Sequence, residues 1–92
     1  MDLRLDHFSG AVGERFDLEV DGTAMPLVLE TAQELPRSMR EAGAFRLEWR
    51  GPADPVLPQA IYRFRRDDDS FDMFIVPVER DSRGTLYEAI FN

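Results

Sequence analysis

The sequence predicts a mainly β protein, an antiparallel six-stranded sandwich or small barrel with one or two short helical turns. Three observations support this fold class. An Asp-Gly pair separates two alternating apolar-polar runs, a third run alternates strictly, and three further runs are separated by short polar turns. The 92 residues fall within the size range of one domain, so we expect a single domain over residues 1–92.

The first two strands form the best-defined predicted hairpin, which spans residues 15–30 and turns at Asp21-Gly22. A two-residue turn fixes the register, and the apolar-face pairs that it predicts are Val20 with Thr23, Leu18 with Met25, and Phe16 with Leu27. Pro26 then falls opposite Asp17 at a non-hydrogen-bonded pair. Because proline has no N–H to donate, its side of the strand is predicted to be an open edge or a bulge.

The next segment predicts a helical turn followed by a strand. Ser38 and Glu41 have the spacing of a capping box. Residues 44–50 then alternate, with Phe45, Leu47 and Trp49 on one side and Arg46, Glu48 and Arg50 on the other. This pattern is typical of a half-buried strand with one charged, solvated face.

Three strands at residues 59–66, 71–78 and 85–91 are predicted to form a meander after a proline-rich loop. Four-residue turns would place Tyr62, Phe64, Met73, Ile75, Leu86 and Ile90 on one face, and Ile61, Phe74, Val76, Val78, Tyr87, Ala89 and Phe91 on the other. Both faces of the middle strand are apolar, so we expect a second layer over it, either the first hairpin or a short helix around Phe8. A slip of one residue in a turn would regroup these faces.

Composition argues against several classes of function. The formal net charge of −7 has the wrong sign for displacing counterions from phosphates, so nucleic acid is not an expected partner. The absence of cysteine excludes disulfides, thiolate chemistry and Cys-containing zinc sites. No apolar stretch is long enough for a membrane-spanning helix and no secretory leader is evident. The expectation is a cytoplasmic protein without a membrane partner.

Few residues suggest chemistry. His7 is the single histidine, and a surface or capping role is the commoner one for a histidine in this setting. Asp67–Asp69 could hold a hard cation, but the EF-hand spacing fails, and a solvated turn is the favoured interpretation. Glycine-rich phosphate loops, nucleophile elbows and zinc-protease motifs are missing from the sequence. We therefore expect a non-enzyme with no catalytic, metal or cofactor-binding residues and no cofactor.

One group of residues is a candidate interaction site, a strip of arginine and aromatic side chains on two strands that we expect to be neighbours. Its members are Arg46, Trp49, Arg50, Tyr62, Arg63 and Arg65. Arginine and large aromatic residues are enriched at interface hot spots, so the strip could dock an acidic partner patch. The alternative is an ordinary charged ladder on a solvent-facing sheet.

The C-terminal half carries a family resemblance. The segments are Phe45-Arg-Leu-Glu-Trp-Arg-Gly-Pro52, Gln59-Ala-Ile-Tyr-Arg-Phe64, Phe74-Ile-Val-Pro-Val78 and Tyr87-Glu-Ala-Ile-Phe-Asn92. Together with Phe8 and residues 13–16, they resemble a functionally uncharacterised family of small bacterial domains. Some members of that family are encoded near phage-tail-collar-like proteins, so the resemblance implies an assembly or accessory role. It assigns no functional residues.

Two functions from different classes follow. The first is a non-enzymatic protein-interaction or assembly module, accessory to a phage-tail-like or surface structure, that binds a protein partner or itself through the Pro26 edge or the arginine-aromatic strip. The second is a small β-barrel that binds an apolar small molecule in its mouth.

Overall fold

Six antiparallel strands close into a barrel in the computed structural model, which describes residues 3–36 and 43–91. The elements are α1 (Asp6–Ser9), β1 (Arg15–Val20), β2 (Thr23–Glu34), β3 (Phe45–Gly51), β4 (Ala60–Arg66), β5 (Asp69–Asp81) and β6 (Gly84–Phe91). The strand order around the barrel is β1-β2-β3-β6-β5-β4. The mainly β prediction is confirmed, and of its two architectures the barrel is the one adopted. The helical turn predicted at residues 38–41 lies outside the described residues.

The β1–β2 hairpin has the predicted register in full, including the pairs Phe16 with Leu27 and Val20 with Thr23. Asp21 and Gly22 have φ angles of 49° and 80°. A two-residue hairpin turn of the primed type needs positive φ at both positions, which aspartate and glycine tolerate better than other residues. The local turn chemistry therefore sets the register of the first two strands.

The open edge predicted at Pro26 is confirmed, but only for the first part of β2. Strand β2 pairs with β3 from Val28 onward, so it is an inner strand of the barrel over most of its length. Only its first part, which includes Pro26, precedes that pairing. The irregularity in β2 lies between Leu29 and Thr31. Proline is tolerated because the strand continues past the end of its neighbour at that point.

The predicted turn lengths in the meander are also wrong. Arg66 pairs with Asp69 and Asp81 pairs with Gly84, so both turns have two residues instead of four. The first change leaves the face assignment of β5 intact. A register shift between Pro77 and Glu79 then reverses the assignment along most of β6.

The reversal decides which residues of β6 enter the barrel. Tyr87 and Ala89 are buried in the core, whereas Ile90 points outward. Leu86 is also buried, but it lies outside the main core cluster, across from Arg50 on β3. Because one extra residue moves every following side chain to the other face, this bulge alone accounts for the regrouping.

Aromatic side chains fill the barrel. The largest buried ones are Trp49, Tyr87, Phe8, Phe45 and Phe64. Helix α1 places Phe8 at the end of the barrel where β1, β3 and β5 begin, with its ring centroid 5.5 Å from that of Phe71. The short helix thus covers one end of the barrel. It does not form a second layer over β5.

Candidate interaction surface

The arginine-aromatic strip predicted from sequence is not one surface. Strands β3 and β4 are not neighbours, because β6 and β5 lie between them in the barrel. Trp49 is 0% exposed and packs against the rings of Phe16 and Phe64, at centroid distances of 4.9 and 4.7 Å. The Tyr62 hydroxyl donates a 2.6 Å hydrogen bond to the carbonyl oxygen of Pro58. Neither aromatic side chain is therefore presented with the arginines.

Each arginine of the strip already contacts an acidic group. Arg46 reaches Gln33 at 2.9 Å and Glu88 at 3.5 Å, Arg63 reaches Asp72 at 3.0 Å, and Arg65 pairs with Glu19. The hydrogen bond and charge of Asp72 raise the pKa of Arg63, and the same contact lowers the pKa of Asp72. These are exposed pairs of small energetic value, and they leave the arginines less free for a partner's carboxylates.

Arg50 is the most buried arginine of the strip, with 12% of its side chain exposed. Its guanidinium lies 2.8 Å from Glu30 and 3.4 Å from Asp81, and Arg83 also reaches Glu30 at 3.0 Å. The hydrogen bond from Arg50 lowers the pKa of Glu30, against an opposing effect of burial. The cluster joins the irregular part of β2 to the β5–β6 turn, which is a structural role.

A row of exposed apolar side chains lies on the outside of β4, β5 and β6. Ile61 and Phe74 are a cross-strand pair and are 67% and 50% exposed. Ile90 is 51% exposed and lies on the outer face of β6, two residues beyond Glu88, the cross-strand partner of Val76. We call Ile61, Phe74, Val76 and Ile90 the apolar face.

Charged residues border the apolar face. The ion pair of Arg63 with Asp72 is the next outward-facing cross-strand pair beyond Ile61 and Phe74. On the other flank, Glu88 is paired across the sheet with Val76 on one side and with Glu48 on the other. An apolar centre with a charged rim is the usual anatomy of a protein-protein interface.

A second candidate site lies at the mouth of the barrel. A cleft of about 300 Å³ lies at the end capped by α1, where Phe8, Phe16 and Phe71 are joined by His7 and Arg66. The Arg66 guanidinium stands 5.1 Å from the centre of the Phe16 ring. The core side chains beneath the cleft are buried and packed on one another. The space open to an apolar ligand is therefore the cleft at this end of the barrel.

Of the residues considered for chemistry, His7 and Asp69 line this cleft, and none belongs to the apolar face. His7 Nδ1 accepts a 3.0 Å hydrogen bond from the backbone N–H of Arg4. Asp67 and Asp68 form the two-residue β4–β5 turn, with Asp67 at φ 53°. Within residues 3–36 and 43–91, no group of three or more histidine or acidic side chains is arranged to hold a metal ion. That same part of the chain contains no helix with the length and apolar character needed to cross a membrane.

Comparison with known families identifies the chain at the level of the domain. The model of a domain of unknown function (DUF6916) matches residues 3–91. The chain belongs to this family. The DUF6916 match covers every strand of the barrel, in agreement with the resemblance to an uncharacterised small-domain family. No curated protein and no solved structure matches the chain.

The apolar face has a signal in the sequence, because apolar residues occupy both faces of the middle meander strand. The expectation that a second layer covers both faces is wrong, since Ile61, Phe74 and Val78 are at least 49% exposed. Closure of the sheet uses one face for the barrel core and leaves the other in solvent. In a closed barrel, a strand with apolar residues on both faces therefore indicates an exposed apolar surface.

Proposed function

We propose that this protein is a non-enzymatic protein-interaction or assembly module whose apolar face binds a protein partner. The observation that supports the proposal is the row of Ile61, Phe74 and Ile90, three large apolar side chains on the outer faces of adjacent strands that are each at least half exposed. Single exposed apolar residues are normal on soluble proteins, whereas contiguous ones rimmed by charge are typical of binding sites.

Closure of the barrel favours side-chain recognition over strand addition. Each described strand pairs with two neighbours, and the seam of β1 with β4, at two positions, is the shortest, so an incoming strand would have to compete with a closed barrel. Covering the exposed halves of Ile61, Phe74 and Ile90 would contribute about 1 kcal/mol each, a useful part of the affinity of a modest interface. The aromatic ring of Phe74 at the centre of the row is a suitable anchor.

The setting that we propose is a larger assembly, such as a phage-tail-like or surface structure. The support is the family resemblance, which implies an assembly or accessory role. A small domain whose outer wall binds one partner suits an accessory role in such an assembly.

The test compares the wild type with the double variant Ile61→Thr/Phe74→Thr in its native host. Threonine keeps the β-branching that strands favour. Tagged protein is purified, co-purifying proteins are identified by mass spectrometry, and light scattering measures the size of each complex. Val28→Thr on β2 is the control, because Val28 is an exposed strand residue on the opposite side of the barrel.

We expect the wild type and Val28→Thr to retain the same specific partner and the double variant to lose it while keeping its melting temperature. Retention of that partner by the double variant would refute the proposal. A wild-type protein that purifies as a monomer without any partner would refute it as well.

The cleft at the α1 end supports a second function, the binding of an apolar small molecule. Its phenylalanine side chains and its place at the mouth of the barrel are the observations in favour. Native mass spectrometry of the protein from its host distinguishes the two functions. A bound small molecule that Phe71→Ala loses and Phe74→Thr retains would favour the cleft over the apolar face.

A further inference from the structure

We propose that the partner presents a basic side chain next to apolar ones, and that this cation docks between Glu48 and Glu88 while the apolar groups cover the apolar face. The inference rests on the proposed function, because it specifies the chemistry of the partner that the apolar face would bind.

The first support for this inference is the pairing of β3 with β6. Glu48 and Glu88 are directly opposite each other in the register, and both lie on the outer wall of the barrel, where Arg46 and Ile90 also point. Cross-strand neighbours lie about 5 Å apart, and like charges at that position destabilise a sheet. Arg46 approaches Glu88 at 3.5 Å, a longer contact than most of the ion pairs elsewhere on the barrel. A second cation would therefore be held favourably at this pair.

The acidic pair is continuous with the apolar face. Val76 is the cross-strand partner of Glu88, and Ile90 follows Glu88 by two residues on the same side of β6. A partner side chain over Ile90 is thus about 7 Å, or two residue spacings, from a side chain over Glu88. A strand with an apolar residue and a basic residue two positions apart would present both on one face and would match both groups at once.

The net charge of the protein favours a basic partner over a second copy of the chain at the apolar face. A formal charge of −7 on each chain makes two copies repel, and it attracts a basic surface at long range. A second copy of this chain is therefore the less favourable occupant. A basic partner also gains from every acidic residue around the rim.

The test begins with a photoreactive benzoylphenylalanine in place of Ile90, activated in the native host. The cross-linked protein is identified, purified, and used as the probe in titrations against the wild type and Glu48→Gln/Glu88→Gln. The matched control is Asp67→Asn/Asp68→Asn, which removes the same charge at the β4–β5 turn, where asparagine tolerates the positive φ of Asp67. Each titration is repeated at low and high salt.

We expect the cross-linked segment of the probe to contain arginine or lysine. Loss of the two glutamates should weaken binding about 3- to 10-fold at low salt, the range for two ion pairs near the protein surface, and should reduce its salt dependence. The turn variant should bind within about twofold of the wild type, because it removes only long-range attraction.

Several results would overturn the inference. The first two are an unchanged affinity of Glu48→Gln/Glu88→Gln and an equal loss of affinity in the turn variant. The other two are a cross-linked segment that is acidic and a cross-linked protein that is a second copy of this chain. If Phe74→Thr abolishes binding while the glutamate variant binds normally, the inference fails and the proposed function stands. If Phe74→Thr binds normally, or if no adduct forms at Ile90, both fail.

Discussion

The Tyr87 hydroxyl accepts a 2.9 Å hydrogen bond from the backbone N–H of Leu57. Tyr87 is a core residue of β6, and Leu57 is the buried residue of the proline-rich loop between β3 and β4. Two buried polar groups must hydrogen-bond to each other, since neither can reach water. The contact therefore fixes the loop to the barrel wall.

Tyr87→Phe should lower the free energy of unfolding by about 1–3 kcal/mol, because the buried N–H of Leu57 loses its acceptor. Tyr62→Phe is the matched control: it removes a hydroxyl that also contacts this loop, at Pro58, but in an exposed place. Urea unfolding of both variants checks the prediction. Equal losses would show that the burial of the Tyr87 contact does not matter.

The ion pair of Glu30 with Arg50 should make stability depend on pH. Arg50 holds the pKa of Glu30 below its ordinary value of 4.5, so the folded state favours the charged form. The contribution is then fully present above pH 4.5 and is lost as the pH falls through the lower, folded pKa. Glu30→Gln should be less stable than the wild type by about 1 kcal/mol at neutral pH. Unfolding free energies measured down the acid range should converge, and a constant gap would contradict the assignment.

Gly84→Ala should be much more destabilising than Gly22→Ala. Both glycines have positive φ, which costs another residue about 1–2 kcal/mol. A Cβ at Gly84 would also overlap the carbonyl oxygen of Gly51, whereas a Cβ at Gly22 meets open space. We expect a loss of roughly 1 kcal/mol for Gly22→Ala and at least about 3 kcal/mol for Gly84→Ala. Thermal melts would show the difference, and similar melting temperatures would place β3 and β6 further apart than described.

Glu48→Gln should stabilise the isolated protein by about 0.2–1 kcal/mol, because it removes one of two like charges that face each other across β3 and β6. Glu19→Gln is the control, since it removes the same charge from an attractive pair with Arg65 and should be neutral or slightly destabilising. Chemical unfolding at low salt makes the effect largest. A destabilised Glu48→Gln would mean that the two carboxylates do not repel.

Much of the fold could be predicted from local patterns. The Asp21-Gly22 turn specified one hairpin completely, and the alternation around Trp49 identified the inward face of β3. Both signals are contained in a few consecutive residues. The order of strands around the barrel depends on contacts between distant segments, so the sequence left β3 and β4 as expected neighbours when β6 and β5 separate them.

The candidate surface shows the same limit. The bulge at Val78 follows Pro77, a residue type that signals a bulge or an edge in a strand, and it moved Tyr87 inward and Ile90 outward. The arginines of β3 and β4 were recognised as outward-facing, but their acidic partners on other strands could not be known from spacing alone. The exposed row was visible as apolar residues on both faces of β5. Only the closure of the sheet shows which face is left in solvent.

Hydrogen-deuterium exchange of the protein with its purified partner tests the central claim most directly. We predict slower exchange in residues 60–64, 72–76 and 88–91, around the apolar face, with unchanged exchange in β1 and β2 on the other side of the barrel. Protection confined to α1 and the β4–β5 turn, or to β1 and β2, would contradict the proposal that the apolar face is the binding surface.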